Sequence, residues 1–80
     1  MEILCFYDLK ALKFRRPICV SSRVEFLRSL PSLIESNSLG DISDFPHDFD
    51  VRSIGTFDID SGELVAHPCE VICLVCDHLI

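Results

Sequence analysis

The chain lacks the features that would place it outside the globular proteins. It has no tryptophan and, among 80 residues, only three glycines and four prolines, which excludes collagen-like and low-complexity classes. Its longest apolar run, 71–76, is far shorter than the roughly twenty residues of a membrane-spanning helix. The first eight residues carry no basic leader and no small-residue cleavage site, so we expect no signal peptide, no membrane association and residence in the cytoplasm.

The cysteine content also favours a reducing compartment. Five cysteines is an odd number, and a secreted disulfide framework would normally pair all of them. We therefore expect buried, reduced thiols. The C-terminal region places two histidines near three of these cysteines, and the five residues are His67, Cys69, Cys73, Cys76 and His78. A small zinc or thiol-redox domain therefore stays open as an alternative. A structural zinc site needs two separated ligand pairs, and the second pair is missing, so we predict inert core cysteines and no cofactor.

Charge is distributed unevenly along the chain. The net charge is −6, yet residues 10–28 hold six basic residues against the single acid Glu25. Such a segment can contact phosphate locally and in a salt-dependent way, whereas the acidic remainder resists wrapping by nucleic acid. The alternative is that these side chains are solvated or paired with nearby acids. The candidate DNA-binding or partner-binding residues are Lys10, Lys13, Arg15, Arg16, Arg23 and Arg28.

The N-terminal half predicts two strands and a helix. Residues 2–7 are apolar and predict an inner strand, residues 9–16 a basic loop, and residues 17–20 a short edge strand that begins at a proline. Ser22 and Glu25 form a capping box ahead of a periodic apolar run, which predicts a helix over residues 22–36. Pro31 predicts a kink or a restart within it.

The C-terminal half predicts a loop and further strands. Polar residues and Pro46 predict a loop up to His47, and period-two alternation over 49–59 predicts a strand with Val51 and Phe57 buried. Residues 60–63 predict a turn into a returning strand, 64–66, which should break at the following His-Pro pair before a last strand over 69–80. The predicted fold is α+β, a single domain over 1–80 with one amphipathic helix on a small, mostly antiparallel sheet.

No pattern predicts catalysis. The carboxylates around residues 58–63 are typical of a solvated turn, and no nucleophile stands at a fixed spacing from His47 and Asp48. A phosphate-binding glycine loop, a helix-turn-helix signature and an RNA-recognition consensus are also missing from the sequence. We therefore expect a protein that is not an enzyme.

Four segments, in order, carry a family resemblance. They are Phe-Tyr-Asp-Leu-Lys-Ala at 6–11, the proline, short apolar run and helix of 17–30, Phe-Pro-His-Asp-Phe at 45–49 and Ile-Gly-Thr-Phe-Asp-Ile-Asp-Ser-Gly-Glu at 54–63. Together they resemble the small non-structural protein of gokushovirus-type microviruses. The similarity in order covers nearly the whole chain.

The resemblance implies a role in viral DNA replication. By analogy with the C protein of microviruses, it implies a non-virion protein of the host cytoplasm that engages the viral replication-initiation protein or replication complex and switches it to single-stranded DNA synthesis for packaging. The residues alone are compatible with weak, local contact with the DNA phosphate backbone, and the alternative is a protein-interaction or scaffold-like module that never touches DNA. They leave the oligomeric state and the strandedness of any bound DNA open.

Overall fold

The structure, a computed structural model, describes residues 1–78. Its strands are β1 (Glu2–Asp8), β2 (Lys13–Val20), β3 (Phe49–Phe57) and β4 (Leu64–Leu74). The helices are α1 (Arg23–Glu35) and the short α2 (Asp41–Asp44), with 3-10 turns at Pro46–Asp48 and Val75–His78. The strands form one antiparallel sheet in the order β2-β1-β3-β4. This arrangement confirms the predicted α+β fold, although the region up to His47 contains short helical turns where a plain loop was predicted.

The ends of α1 follow from local hydrogen bonding. At the start, the Ser22 hydroxyl accepts from the Glu25 amide, as the sequence predicts. At the end, Asn37 takes a positive φ of 59°, and the Ser38 amide donates to the Leu33 carbonyl at 3.0 Å. This is the Schellman geometry, which satisfies carbonyls that the last turn leaves free.

The predicted restart at Pro31 is wrong, because α1 runs without interruption through it. An interior proline removes one hydrogen bond and costs about 3 kcal/mol. Apolar residues on both sides of it, Leu27, Leu30, Leu33 and Ile34, pack into one core, and burial of this continuous face holds the helix together.

One face of the sheet, called here the covered face, packs against α1. Leu4, Phe6 and Val51 of the central strands lie there with Leu30 of the helix and Val75, and all five are buried. Ile18 and Val20 of β2 extend the same cluster. The core therefore lies between one helix layer and one side of the sheet.

The buried position predicted for Phe57 is wrong, since it is only half-buried, whereas Val51 is buried as predicted. In the pairing with β1, Leu4 lies opposite Ser53 and Ile3 opposite Gly55, so Ile54 is an extra residue in β3. One extra residue reverses which face each later side chain takes. The bulge therefore turns Phe57 to the face opposite Val51.

The predicted break at His67 and Pro68 is also wrong, because β4 is one strand of 11 residues that contains both. Its register against β3 jumps there: Glu70 lies opposite Ser53 and Ala66 opposite Gly55. An edge strand accommodates proline at such an irregularity without losing a ladder hydrogen bond. The predicted last strand therefore ends at residue 74, and residues 79–80 lie outside the described part of the chain.

Candidate functional site

The basic residues of 10–28 lie on three elements. Lys10 is in the β1–β2 turn, Lys13, Arg15 and Arg16 are on β2, and Arg23 and Arg28 are on α1. The predicted loop over 9–16 is therefore wrong from residue 13 onward. An edge strand can be polar throughout, and a prediction from apolar alternation passes over it.

Arg15 is tied to the protein's own surface. Its guanidinium donates two hydrogen bonds to the Asp41 carboxylate, at 2.9 and 3.1 Å, and lies 5.6 Å from the centroid of the Phe49 ring. This bidentate contact lowers the pKa of Asp41. Arg15 therefore positions the segment after α1 against β2, and its charge is neutralised locally.

Arg23 is also neutralised. It forms a bidentate pair with Glu2 of β1, and its Nη2 also donates to Glu70 of β4 at 3.0 Å. The Ser53 hydroxyl donates to Glu2 at 2.7 Å. These contacts, with Arg23 the largest, lower the pKa of Glu2 from 4.5 to about 2. Arg23 thus joins the start of α1 to the sheet.

The remaining cations have little or no neutralisation. Lys10 Nζ is 4.0 Å from Asp48 and its side chain is 77% exposed, so this pair is weak. Within residues 1–78, Lys13, Arg16 and Arg28 have no carboxylate within salt-bridge distance. Arg28 is separate from the others on α1. Lys10, Lys13 and Arg16, called here the basic edge, lie along β2 and the turn before it.

A cleft of about 510 Å³ lies beside the basic edge, between β2 and the segment that follows α1. A register shift places both Arg15 and Arg16 opposite Phe6, because Cys5 pairs with Pro17 and Tyr7 with Phe14. Both arginines therefore reach the same cleft. Its volume lies in the range of small ligand sites, and it combines an apolar floor with the unpaired guanidinium of Arg16 at its wall. The lining residues are Phe6, Arg15, Arg16, Ile18, Ser38, Leu39 and Ile42.

One arginine site has no signal in the sequence. Arg52 donates to buried Asp50 at 2.9 and 3.0 Å, and its guanidinium lies 3.8 Å from the centroid of the Tyr7 ring. The Tyr7 and Phe14 rings meet edge to face with centroids 4.8 Å apart. Arg52 and Asp50 alternate on one strand, but the aromatic partners come from β1 and β2, so only the sheet register reveals the cluster.

The prediction that the cysteines are buried holds for Cys5 alone. Cys19 and Cys69 are exposed, and Cys73 and Cys76 are half-buried. Burial raises the pKa of the Cys5 and Cys73 thiols. Across residues 1–78, no three side chains of His, Cys, Asp and Glu come together as a metal site.

The comparisons with known proteins place the chain in a family. None of the helices in the described residues has the length and apolar character to cross a membrane. Searches of the curated proteins and of the solved structures each returned no match. A family model for the phage ORF5 protein matches residues 1–78. The chain therefore belongs to the phage ORF5 protein family, and it is a phage protein.

Proposed function

We propose that this phage protein is a non-structural accessory of viral DNA replication. It docks on the viral replication complex in the host cytoplasm, contacts DNA phosphate through the basic edge, and favours the change to single-stranded DNA synthesis and packaging. The family supports a phage accessory role. The observation that carries the finer proposal is the basic edge beside the cleft, where cations without close partners meet an apolar surface.

The basic edge suits weak phosphate contact. Its cations are free to displace counterions from phosphate, whereas Arg15 and Arg23 already bind carboxylates of this chain. The net charge of −6 opposes wrapping of DNA around the molecule. Contact should therefore be local and steeply dependent on salt, so that a second contact with the replication complex fixes the position on DNA.

The cleft supplies a surface for that second contact. Ile18, Leu39 and Ile42 form an apolar floor next to the guanidinium of Arg16. An apolar side chain flanked by a carboxylate would find both partners there. Because the cleft adjoins the basic edge, a protein bound in it would lie close to the same DNA.

The test replaces Lys10, Lys13 and Arg16 together with Gln. Arg15 is left in place, because its loss would free Asp41 and disturb the fold. The parent should bind duplex and single-stranded DNA with an affinity that falls steeply with salt. On duplex DNA the variant should lose up to about 2.7 from the slope of log affinity against log salt, and on single strands up to about 2.1. Thermal unfolding should be nearly unchanged, since these side chains are exposed.

The matched control is Arg28→Gln, which removes a cation of α1, an element that contributes no residue to the basic edge. It should leave the salt slope unchanged. In infected cells, the triple variant should reduce the yield of single-stranded viral DNA, and Arg28→Gln should not. Normal single-stranded DNA yield with the triple variant would contradict the proposal.

The cleft also favours a second candidate function, protein docking without DNA contact. Ser38 lies at the cleft and is exposed, and its hydroxyl lies 2.6 Å from that of Ser36. Ser38→Phe should therefore block the cleft and leave the core intact. If Ser38→Phe abolishes capture of the viral replication protein and lowers the yield of single-stranded viral DNA, while the parent itself shows no salt-dependent binding to DNA, protein-only docking replaces phosphate contact.

A further inference from the structure

The side of the sheet opposite α1 is apolar and uncovered. Paired residues on neighbouring strands share a face, so the register defines this surface. We call it the outer face, and its members include Phe14, Pro17 and Cys19 of β2, Ile3, Cys5 and Tyr7 of β1, Asp50, Arg52 and Phe57 of β3, and Leu64, Val71 and Leu74 of β4. Phe14 is 51% exposed, Val71 56% and Leu74 40%.

An antiparallel sheet with one solvated face normally carries polar residues on that face. The outer face departs from this pattern, because Asp50 and Arg52 are its only charged members and they neutralise each other through two hydrogen bonds. Single apolar side chains on a surface are ordinary, whereas exposed apolar residues on both sides of one neutralised ion pair mark an interaction surface.

We propose that the outer face is the interface of a homodimer, in which two copies of the chain pack their sheets against each other. Each copy carries a net charge of −6, so like-charged copies repel over most of their surface. The outer face has no net charge, and it is the broad surface on which two copies meet without repulsion. A nucleic acid, in contrast, requires uncompensated cations, and Arg52 is already paired.

The dimensions also fit a second copy. The molecule measures 37 × 25 × 17 Å, and its shortest extent accommodates one sheet and one helix layer. The two longer extents, 37 and 25 Å, bound a rectangle of about 900 Å², which is large enough to hold the roughly 800 Å² that each partner contributes to a standard interface. A two-fold axis that lies in the plane between the two sheets would place this face against itself, as in the isologous interfaces of most homodimers.

The test measures the mass of the reduced full chain by sedimentation equilibrium over a range of concentrations. The parent should show twice the chain mass at the higher concentrations. Val71→Glu should yield a folded monomer: the new carboxylate lies opposite Arg52 in the single chain, but it would carry charge into the interface.

The matched control is Val24→Glu, the same substitution at a residue of α1 that is 63% exposed. It should leave the dimer intact. A parent that stays monomeric at every concentration would overturn the proposal, as would a Val71→Glu variant that remains dimeric or a Val24→Glu variant that dissociates equally.

A measurement on the parent tests the proposal even if Val71→Glu does not fold. Cys19 belongs to the outer face, and its side chain is exposed in the single chain. Its rate of alkylation should therefore fall as protein concentration rises and dimers form. A rate independent of concentration would overturn the proposal. The basic edge is separate from these substitutions, so failure here leaves the proposed function standing.

Discussion

The two hairpins of the sheet share one turn geometry and differ in almost everything else. In the β1–β2 hairpin, Asp8 accepts from the amides of Lys10 and Ala11, and in the β3–β4 hairpin Asp58 accepts from those of Asp60 and Ser61. The carbonyl of each aspartate also accepts from the amide four residues on. The same hydrogen bonds therefore close a basic hairpin and an acidic one. The conformation of the turn does not depend on the charge of the strands that it connects.

The hairpins are joined where β1 pairs with β3, and we expect substitutions there to cause the largest loss of stability. Arg52 of the second hairpin stacks on Tyr7 of the first while it neutralises Asp50, whose exposure is 3%. Arg52→Gln leaves that carboxylate without its cation, and we expect unfolding in urea to become easier by about 2–3 kcal/mol, below the range for fully buried pairs because Arg52 is partly exposed. Arg52→Lys, which retains the charge, should cost less. Equal losses of stability in both variants would show that the stacking of Arg52 on Tyr7, and not its charge, holds the two hairpins together.

A smaller loss is expected at Phe57, near the open end of the second hairpin. Because the bulge at Ile54 leaves Phe57 half-buried, Phe57→Ala should cost about 1–2 kcal/mol, less than the 3–5 kcal/mol typical of a fully buried Phe. Thermal unfolding of this variant should be compared with that of Val51→Ala. A larger loss at Phe57 than at Val51 would contradict the reversed alternation.

Acid should weaken the contacts of Glu2, which link the start of the first hairpin to α1 and to the second hairpin. The pKa of Glu2 falls from 4.5 to about 2 on folding, so its charge adds stability above pH 4.5 that is lost as the pH falls toward 2. Urea unfolding of the parent and of Glu2→Gln should therefore differ most above pH 4.5, and the two curves should converge as the pH approaches 2. The control Glu63→Gln removes an exposed carboxylate of the β3–β4 turn and should show no such convergence. If the difference in unfolding free energy between the parent and Glu2→Gln stayed constant across this pH range, the pKa of Glu2 would not be lowered in the folded chain.

The hairpins also show what the sequence can predict. The capping box at Ser22 and the turn at residues 60–63 were predicted because their determinants are a few residues apart. The length of β2 and the reversed face of Phe57 depend on pairing with β1, which no local pattern reports. The candidate site divides in the same way: its six cations are visible in the sequence, but Arg15 lies 26 residues from Asp41 and Arg23 lies 21 from Glu2, so their neutralisation becomes visible only in the fold.

The smallest expected effect compares the two turns directly. The fifth residue of each turn has a positive φ, 58° at Leu12 and 75° at Gly62. This conformation is strained for a residue with a side chain and free for glycine. Leu12 is 71% exposed, so Leu12→Gly relieves strain while it sacrifices little packing, and we expect a gain of about 0.5–1 kcal/mol.

Gly62→Ala should produce the opposite change, a loss of about 1 kcal/mol, and a Cβ there has no atom within 4 Å, so the loss would come from the backbone alone. Leu12→Ala separates the two contributions at the first turn, because it removes the side chain and keeps the strain. Urea unfolding of the three variants should therefore rank Leu12→Gly above the parent and Gly62→Ala below it, with Leu12→Ala close to the parent. If Leu12→Gly were the less stable protein, the exposed leucine would be stabilising its turn by packing, and the two hairpins would be closed by different forces.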